Sequence, residues 1–159
     1  MIKEKILSLN QLKSLKKYPW RLKKTVLLGG CFDIFHYAHY LFLKNAKKEG
    51  DYLILLLESD DFIRRNKKRE PLHQQRQRAE ILSSLVFVDL IILLPPNLTD
   101  LDYFQIVKLI QPQIIAVSQN DPKIVNKKKQ AKAVGAKVKR VVPYFKDYSS
   151  TKIKNKLDL

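Results

Sequence analysis

Apolar residues in this chain fall into short unbroken runs, and the runs alternate with stretches that carry apolar residues at helical spacing. Thr25 to Leu28, Tyr52 to Leu57, Asp89 to Leu94, Gln113 to Val117 and Val138 to Val142 form the runs. Unbroken rather than alternating apolarity marks strands covered on both faces, so they predict five strands of a parallel sheet. The stretches between them predict helices over His36 to Lys48, Gln74 to Val86, Asp100 to Ile110 and Lys123 to Val134, with a short last helix over Ser149 to Leu157. Thr99 or Asp100 caps the third, Gly50 and Gly135 terminate the first and fourth, and Pro95-Pro96 and Pro143 stop strands. Arg64 to Pro71 is polar, basic and without period, and reads as a loop. Residues 1–24 read as a helical lead-in, with Leu9, Leu12 and Leu15 at helical spacing, Ser8 as N-cap and Gln11 completing a capping box. Trp20 anchors that segment on the main body or, alternatively, stacks on a base. Strands and helices in strict alternation predict a three-layer α/β/α architecture, one domain over 1–159 with its core in 25–159.

The stretch Gly29 to His39 changes this picture from fold to chemistry. It follows the first predicted strand and opens the next helix, at the sheet end where ligands of open α/β sheets sit. Glycines let backbone approach a ligand, and a helix N-terminus offers unpaired N–H groups to an anion. His36 and His39 are three residues apart, on one face of the first turn. Imidazoles, backbone donors and a dipole end converging on one spot predict phosphate binding.

Composition narrows the class. At 159 residues and 45% hydrophobic, the chain is long and apolar enough for a packed core. Its longest apolar runs are too short to span a bilayer, and no apolar core of a signal peptide follows Met1 to Lys5. Cys31 is the one cysteine, so no internal disulfide forms. A cytoplasmic location is expected. The net charge of +16 draws in polyanions, but lysines spread along the whole chain fit solvated faces better than a nucleic-acid interface.

Rival chemistries lack their signatures. There is no G-x-x-x-x-G-K-[ST] and no G-x-G-x-x-G, which removes the P-loop and dinucleotide readings. Cys31, His36 and His39 offer a partial zinc set without a fourth ligand at a suitable spacing, since His73 falls in or near a polar loop. Cys31 reads instead as a small buried hydrophobe.

Gly30-Cys31-Phe32-Asp33 with His36-Tyr37-Ala38-His39 resembles the (G)-x-F-D-x-x-H-x-G-H signature of the cytidylyltransferase-like nucleotidyltransferases. The resemblance covers nearly the whole chain. It takes in Lys44 to Asp51, Lys67 at the place of a phosphate-binding lysine, Gln77-Arg78, Val88-Asp89, and Ser149-Ser150-Thr151 before the last helix. It is closest in wording to the heptose-phosphate adenylyltransferase and glycerol-3-phosphate cytidylyltransferase branches. Two departures stand out: Ala38 replaces the glycine of H-x-G-H, and Ala116 to Asp121 looks more like the A-L-G-Y-D-Q of archaeal FMN adenylyltransferases than the V-K-G-G-D of the heptose enzymes.

The resemblance implies a Rossmann-like fold and transfer of a nucleotide from ATP or CTP to a phosphorylated small molecule (a sugar phosphate, a polyol phosphate or FMN), with release of pyrophosphate. It implies catalytic roles for His36, His39, Lys67 and Arg78, with Arg76 able to exchange roles with Arg78. Nucleotide contacts fall to Gly30, Cys31, Phe32, Asn120, Asp121, Ser149, Ser150 and Thr151. It also implies Mg²⁺ carried by the triphosphate without protein metal ligands, and a homodimer. Asp33 either fixes the turn or acts directly, and Lys68 and Arg69 read as solvated. The reading from another class is a catalytically degenerate, basic module that binds nucleic acid or another polyanion on the same scaffold.

Overall fold

The computed structural model describes residues 5–143 and 149–157, without the side chains of residues 150 and 151. The element order is β1 (Ile6–Ser8), α1 (Leu9–Ser14), a 3₁₀ turn at Pro19–Leu22, β2 (Thr25–Gly30), α2 (Tyr37–Lys48), β3 (Tyr52–Leu57), α3 (Asp60–Lys67), α4 (Gln75–Ser83), β4 (Leu90–Leu93), α5 (Asp100–Ile110), β5 (Ile114–Ser118), α6 (Ile124–Val134), β6 (Lys137–Val142) and α7 (Ser150–Lys156). The strands form one sheet in the order β1-β4-β3-β2-β5-β6, and every pairing is parallel.

Unbroken apolar runs form buried strands here because both sheet faces are covered. Along β3, Leu53, Leu55 and Leu57 join a cluster with Leu43, Ala46, Ala79 and Leu82 from α2 and α4. Ile54 and Leu56 join the opposite cluster with Leu12, Trp20, Ile106, Val107 and Ile110. Side chains of period two thus feed two cores, and each fully buried Leu or Ile contributes about 1.5–3 kcal/mol. Trp20 is a structural anchor: it is fully buried, and its indole N–H donates to the Ile110 carbonyl at 3.2 Å.

Two expectations are corrected. The sheet has six strands, not five, because Ile6–Ser8 pairs with Ile91–Leu93 at its edge. Three residues abutting a helical pattern carry no period of their own. The capping box Ser8/Gln11 does form, directly after that strand. The stretch read as a loop from Arg64 is helical to Lys67, in α3. Ser59 caps this helix, Asp60 and Asp61 sit in its first turn, and Arg64, Arg65 and Lys67 in its last, as the helix dipole favours. Eight residues with one fully buried side chain, Ile63, leave too little periodicity to read. Lys68 ends the helix at φ 51°.

The chain runs outward from β2 through β3 to β4, then returns across β2 to β5. The carboxyl end of β2 therefore lies at a switch point, where crossovers leave toward both sides and open a crevice.

Candidate active site

Gly29 and Gly30 end β2, and the chain turns through Cys31 to Phe35 into α2. Neither glycine takes a positive φ; the left-handed residue of the turn is Phe32, at φ 47°. Its ring is buried, and a Cβ on Gly30 would lie 2.6 Å from it, so glycine at 30 is required by the close approach of that ring. A phenylalanine held there stores about 1–2 kcal/mol of backbone strain, which the surrounding packing must offset.

Asp33 supplies part of that support. Its carboxylate is buried, accepts from the N–H groups of Leu72 at 2.8 Å and His73 at 3.2 Å, and pairs with the Arg69 guanidinium. Asp33 thus ties the turn to the distant Arg69–His73 stretch rather than fixing it by local hydrogen bonds. Arg69 is correspondingly not solvated; its side chain is 11% exposed and reaches the cleft wall.

His36 is the N-cap residue of α2, and His39 lies in its first turn. Their rings stack with centroids 3.7 Å apart, and the Phe32 ring lies 5.0 Å from that of His39. Burial pushes His39 down to about 3, assisted by His36 and partly offset by a hydrogen bond with the Ile34 backbone. Burial lowers His36 as well. Both imidazoles are therefore neutral near pH 7. Cationic charge comes from Lys67, close enough to depress both His39 and the Cys31 thiol. That thiol nevertheless rises to about 11, chiefly through burial. Among the described residues no three His, Cys, Asp or Glu side chains are grouped to hold a metal ion.

These residues line a cleft of about 830 Å³ across the carboxyl ends of the strands. Gly30, Cys31, Phe32, His36, His39 and Lys67 share its wall with Asn120, Asp121 and Ser149. The Asp121 carboxylate accepts from the Lys123 N–H at 2.8 Å and from Lys127 Nζ at 2.5 Å, holding the loop after β5. Ser149 Oγ accepts from the Lys152 N–H and caps α7. The expected contacts of Ser150 and Thr151 lie outside the described side chains.

Arg78 differs from its expected place. It is 1% exposed, absent from the cleft wall, and its guanidinium donates to the carbonyls of His73, Cys31 and Glu58 and to Asp60. It braces the backbone of the turn after β2 through the Cys31 carbonyl, and every arm of the fork is occupied. Arg76 is exposed and pairs with Glu80.

Sequence reasoning missed Glu58 and Tyr103. Glu58 follows β3 directly, its N–H donates to the Gly30 carbonyl at 3.0 Å, and its carboxyl faces the cleft beside the Tyr103 hydroxyl. Burial pushes Glu58 up to about 7, although Tyr103, Lys127 and Arg78 all pull it down. An acid placed immediately after an unbroken apolar run was the available signal.

A crevice at a switch point, with neutral histidines stacked at a helix start and a lysine on the same wall, is the kind of site that takes a phosphate-bearing ligand. A model of the cytidylyltransferase-like family matches residues 27–156, and the chain belongs to that family. It is 40% identical over 97 residues to an FAD synthase of Thermococcus kodakarensis, covering 61% of this chain and 63% of that protein. Against an FAD synthase of Thermococcus sibiricus it is 38% identical over 125 residues, 77% of this chain and 82% of that one. A lipopolysaccharide core biosynthesis protein from Thermoplasma volcanium superposes with a TM-score of 0.62 at 27% identity, over 80% of this chain and 99% of that one.

Proposed function

We propose that this protein transfers the adenylyl group of ATP to the phosphate of FMN, forming FAD and releasing pyrophosphate. The observation that carries this reading is the continuity of the cleft. Its wall takes in Gly30, His36, His39 and Lys67 and also Pro95, Leu98 and Tyr103, with Asn97 and Asp100 among the polar residues that line it. A cleft of that extent has room for an acceptor with a phosphate at one end and a flat ring at the other. The volume is near the top of the range for ligand pockets, as two nucleotide-sized substrates require. The chain's likeness to the FAD synthases of Thermococcus kodakarensis and Thermococcus sibiricus supports the same pair of substrates.

An oxygen of the FMN phosphate attacks the α-phosphorus of ATP, and the bond to the pyrophosphate oxygen breaks. The attacking phosphate is already ionised near neutral pH, so no general base is needed. Rate comes from placement and from neutralising the charge that builds on the leaving oxygen. His36 and His39, neutral at the outset, donate hydrogen bonds to phosphate oxygens and gain proton affinity as the anion arrives. Lys67 supplies the full positive charge. The N–H groups of Cys31 and Phe32 and the first turn of α2 receive further oxygens. Arg78 acts through the Cys31 carbonyl, holding the turn. Mg²⁺ carried by the triphosphate would supply further neutralisation of phosphate charge, and among the described residues no cluster of His, Cys, Asp or Glu stands ready to hold it. Among the described residues no helix is long and apolar enough to cross a membrane, and a cytoplasmic setting suits the two water-soluble substrates.

The test is pyrophosphate release with Mg²⁺, crossing ATP and CTP against FMN, glycerol 3-phosphate and a heptose phosphate. Release with ATP and FMN, and FAD as product, is expected. Release only with CTP or only with a sugar or polyol phosphate overturns the substrate assignment. Absence of triphosphate binding, joined to salt-sensitive binding of DNA, favours the polyanion-binding module instead.

A further inference from the structure

The Glu58 carboxyl has more hydrogen-bonding capacity than the protein uses. Both of its oxygens lie 2.9 Å from Tyr103 Oη, but a phenol has one proton to give. Among the described residues no other donor and no ion pair reaches that carboxyl. The two cations nearest in effect are engaged elsewhere: Lys127 with Asp121 at 2.5 Å, and Arg78 with Asp60 at 2.7 Å. The group stands at the carboxyl end of β3, one strand over from the turn that follows β2, and lines the same cleft as Pro95, Leu98 and Tyr103. A mostly buried carboxyl with spare lone pairs on the cleft wall is placed to accept a hydrogen bond from a ligand that brings a donor.

We propose that Glu58, oriented by Tyr103, is a specificity-determining residue that reads the edge of the acceptor's ring by accepting a hydrogen bond from a ring N–H. This rests on FMN being the acceptor, whose ring edge presents an N–H between two carbonyls. With its proton on, the carboxyl offers an O–H beside a C=O, the complement of that edge; burial keeps a substantial protonated fraction near neutral pH. Glutamine offers the same donor and acceptor pair.

The test combines FMN fluorescence titration with KM measurements on wild type, Glu58→Ala and Glu58→Gln, each with FMN and with FMN methylated on the imide nitrogen. Glu58→Ala is expected to weaken FMN binding and raise its KM about tenfold, the loss of one buried hydrogen bond, with the KM for ATP unchanged. Glu58→Gln is expected to restore most of that loss. Wild type should reject the methylated ring, and Glu58→Ala should not. Wild-type FMN affinity in Glu58→Ala, or rejection of the methylated ring that persists there, overturns the role of Glu58 and leaves the FMN assignment standing. Failure of the wild type to bind or adenylylate FMN overturns both.

Discussion

The imidazole rings of His36 and His39 lie face to face, 21° from parallel with centroids 3.7 Å apart. A proton on one opposes a proton on the other, and burial opposes both. His39 takes up its proton near pH 6.5 when unfolded and only near 3 when folded, so the unfolded chain binds more protons between those values. Stability is therefore complete above about 6.5 and is lost as pH falls through that window. His39→Asn should flatten this acid limb, which is worth on the order of 2–4 kcal/mol. Urea unfolding at pH 4 to 8 reads it directly, and an unchanged limb in the variant would contradict the neutral stacked pair.

Glu58 carries the opposite sign. Its carboxyl titrates near 4.5 when unfolded and near 7 when folded, so the folded chain holds the extra proton, and stability declines as pH rises between the two. Glu58→Gln should raise the Tm at pH 8 and leave it unchanged at pH 4, with a gain of about 1–3 kcal/mol at the higher pH. Equal Tm shifts at both values would argue against a buried, reluctant carboxylate.

Lys67 and Arg78 should separate cleanly by assay. Lys67 is exposed at the cleft, so Lys67→Ala is expected to lower turnover by about a hundredfold or more while moving the Tm little. Arg78→Ala leaves Asp60 and three carbonyls without a buried donor, a loss of about 3–5 kcal/mol. Arg78→Lys cannot reproduce the fork and should recover only part of it. A stable, folded Arg78→Ala protein that is merely inactive would return Arg78 to the chemistry.

His36→Ala tests the phosphate turn without disturbing the core, since His36 caps α2 with no side-chain hydrogen bond to the helix. Turnover is expected to fall by about a hundredfold or more with the circular dichroism spectrum unchanged. Full activity would remove the histidine pair from the mechanism.

Two glycines should respond differently to alanine. A Cβ on Gly50 would lie 2.3 Å from the Lys24 carbonyl, which is already held by the N–H groups of Asp51 and Tyr52. Gly50→Ala is expected to lose about 3 kcal/mol. Gly135 has open space but sits at φ 72°, and alanine there should lose only about 1 kcal/mol. Chemical denaturation ranks the two, and the reverse order would be inconsistent with this backbone.

The parallel sheet and the turn that brings His36 and His39 to a helix start were legible because their signals are local: apolar runs covered on both sides, and two histidines at helical spacing after a strand. Arg78 was misplaced because its partners, Cys31, Glu58 and Asp60, are distant in sequence, and a buried arginine looks like any other until they meet. Arg69 misled for the same reason, since Asp33 is what draws it inward. Glu58 was passed over as the polar boundary of a strand. Strand β1 was invisible because it borrows its reason to be extended from Ile91 to Leu93.

That edge strand also bears on how the protein is made. Ile6 finds its ladder partner at Ile91, and the Lys5 carbonyl accepts from the Ile91 N–H at 2.7 Å. During synthesis the segment leaves the ribosome ahead of the other strands of the sheet, yet has nothing to pair with until β4 follows, after β2 and β3 have been made. The earliest residues of the sheet are thus among the last able to join it, and until then an apolar strand with an open backbone edge waits for its seat.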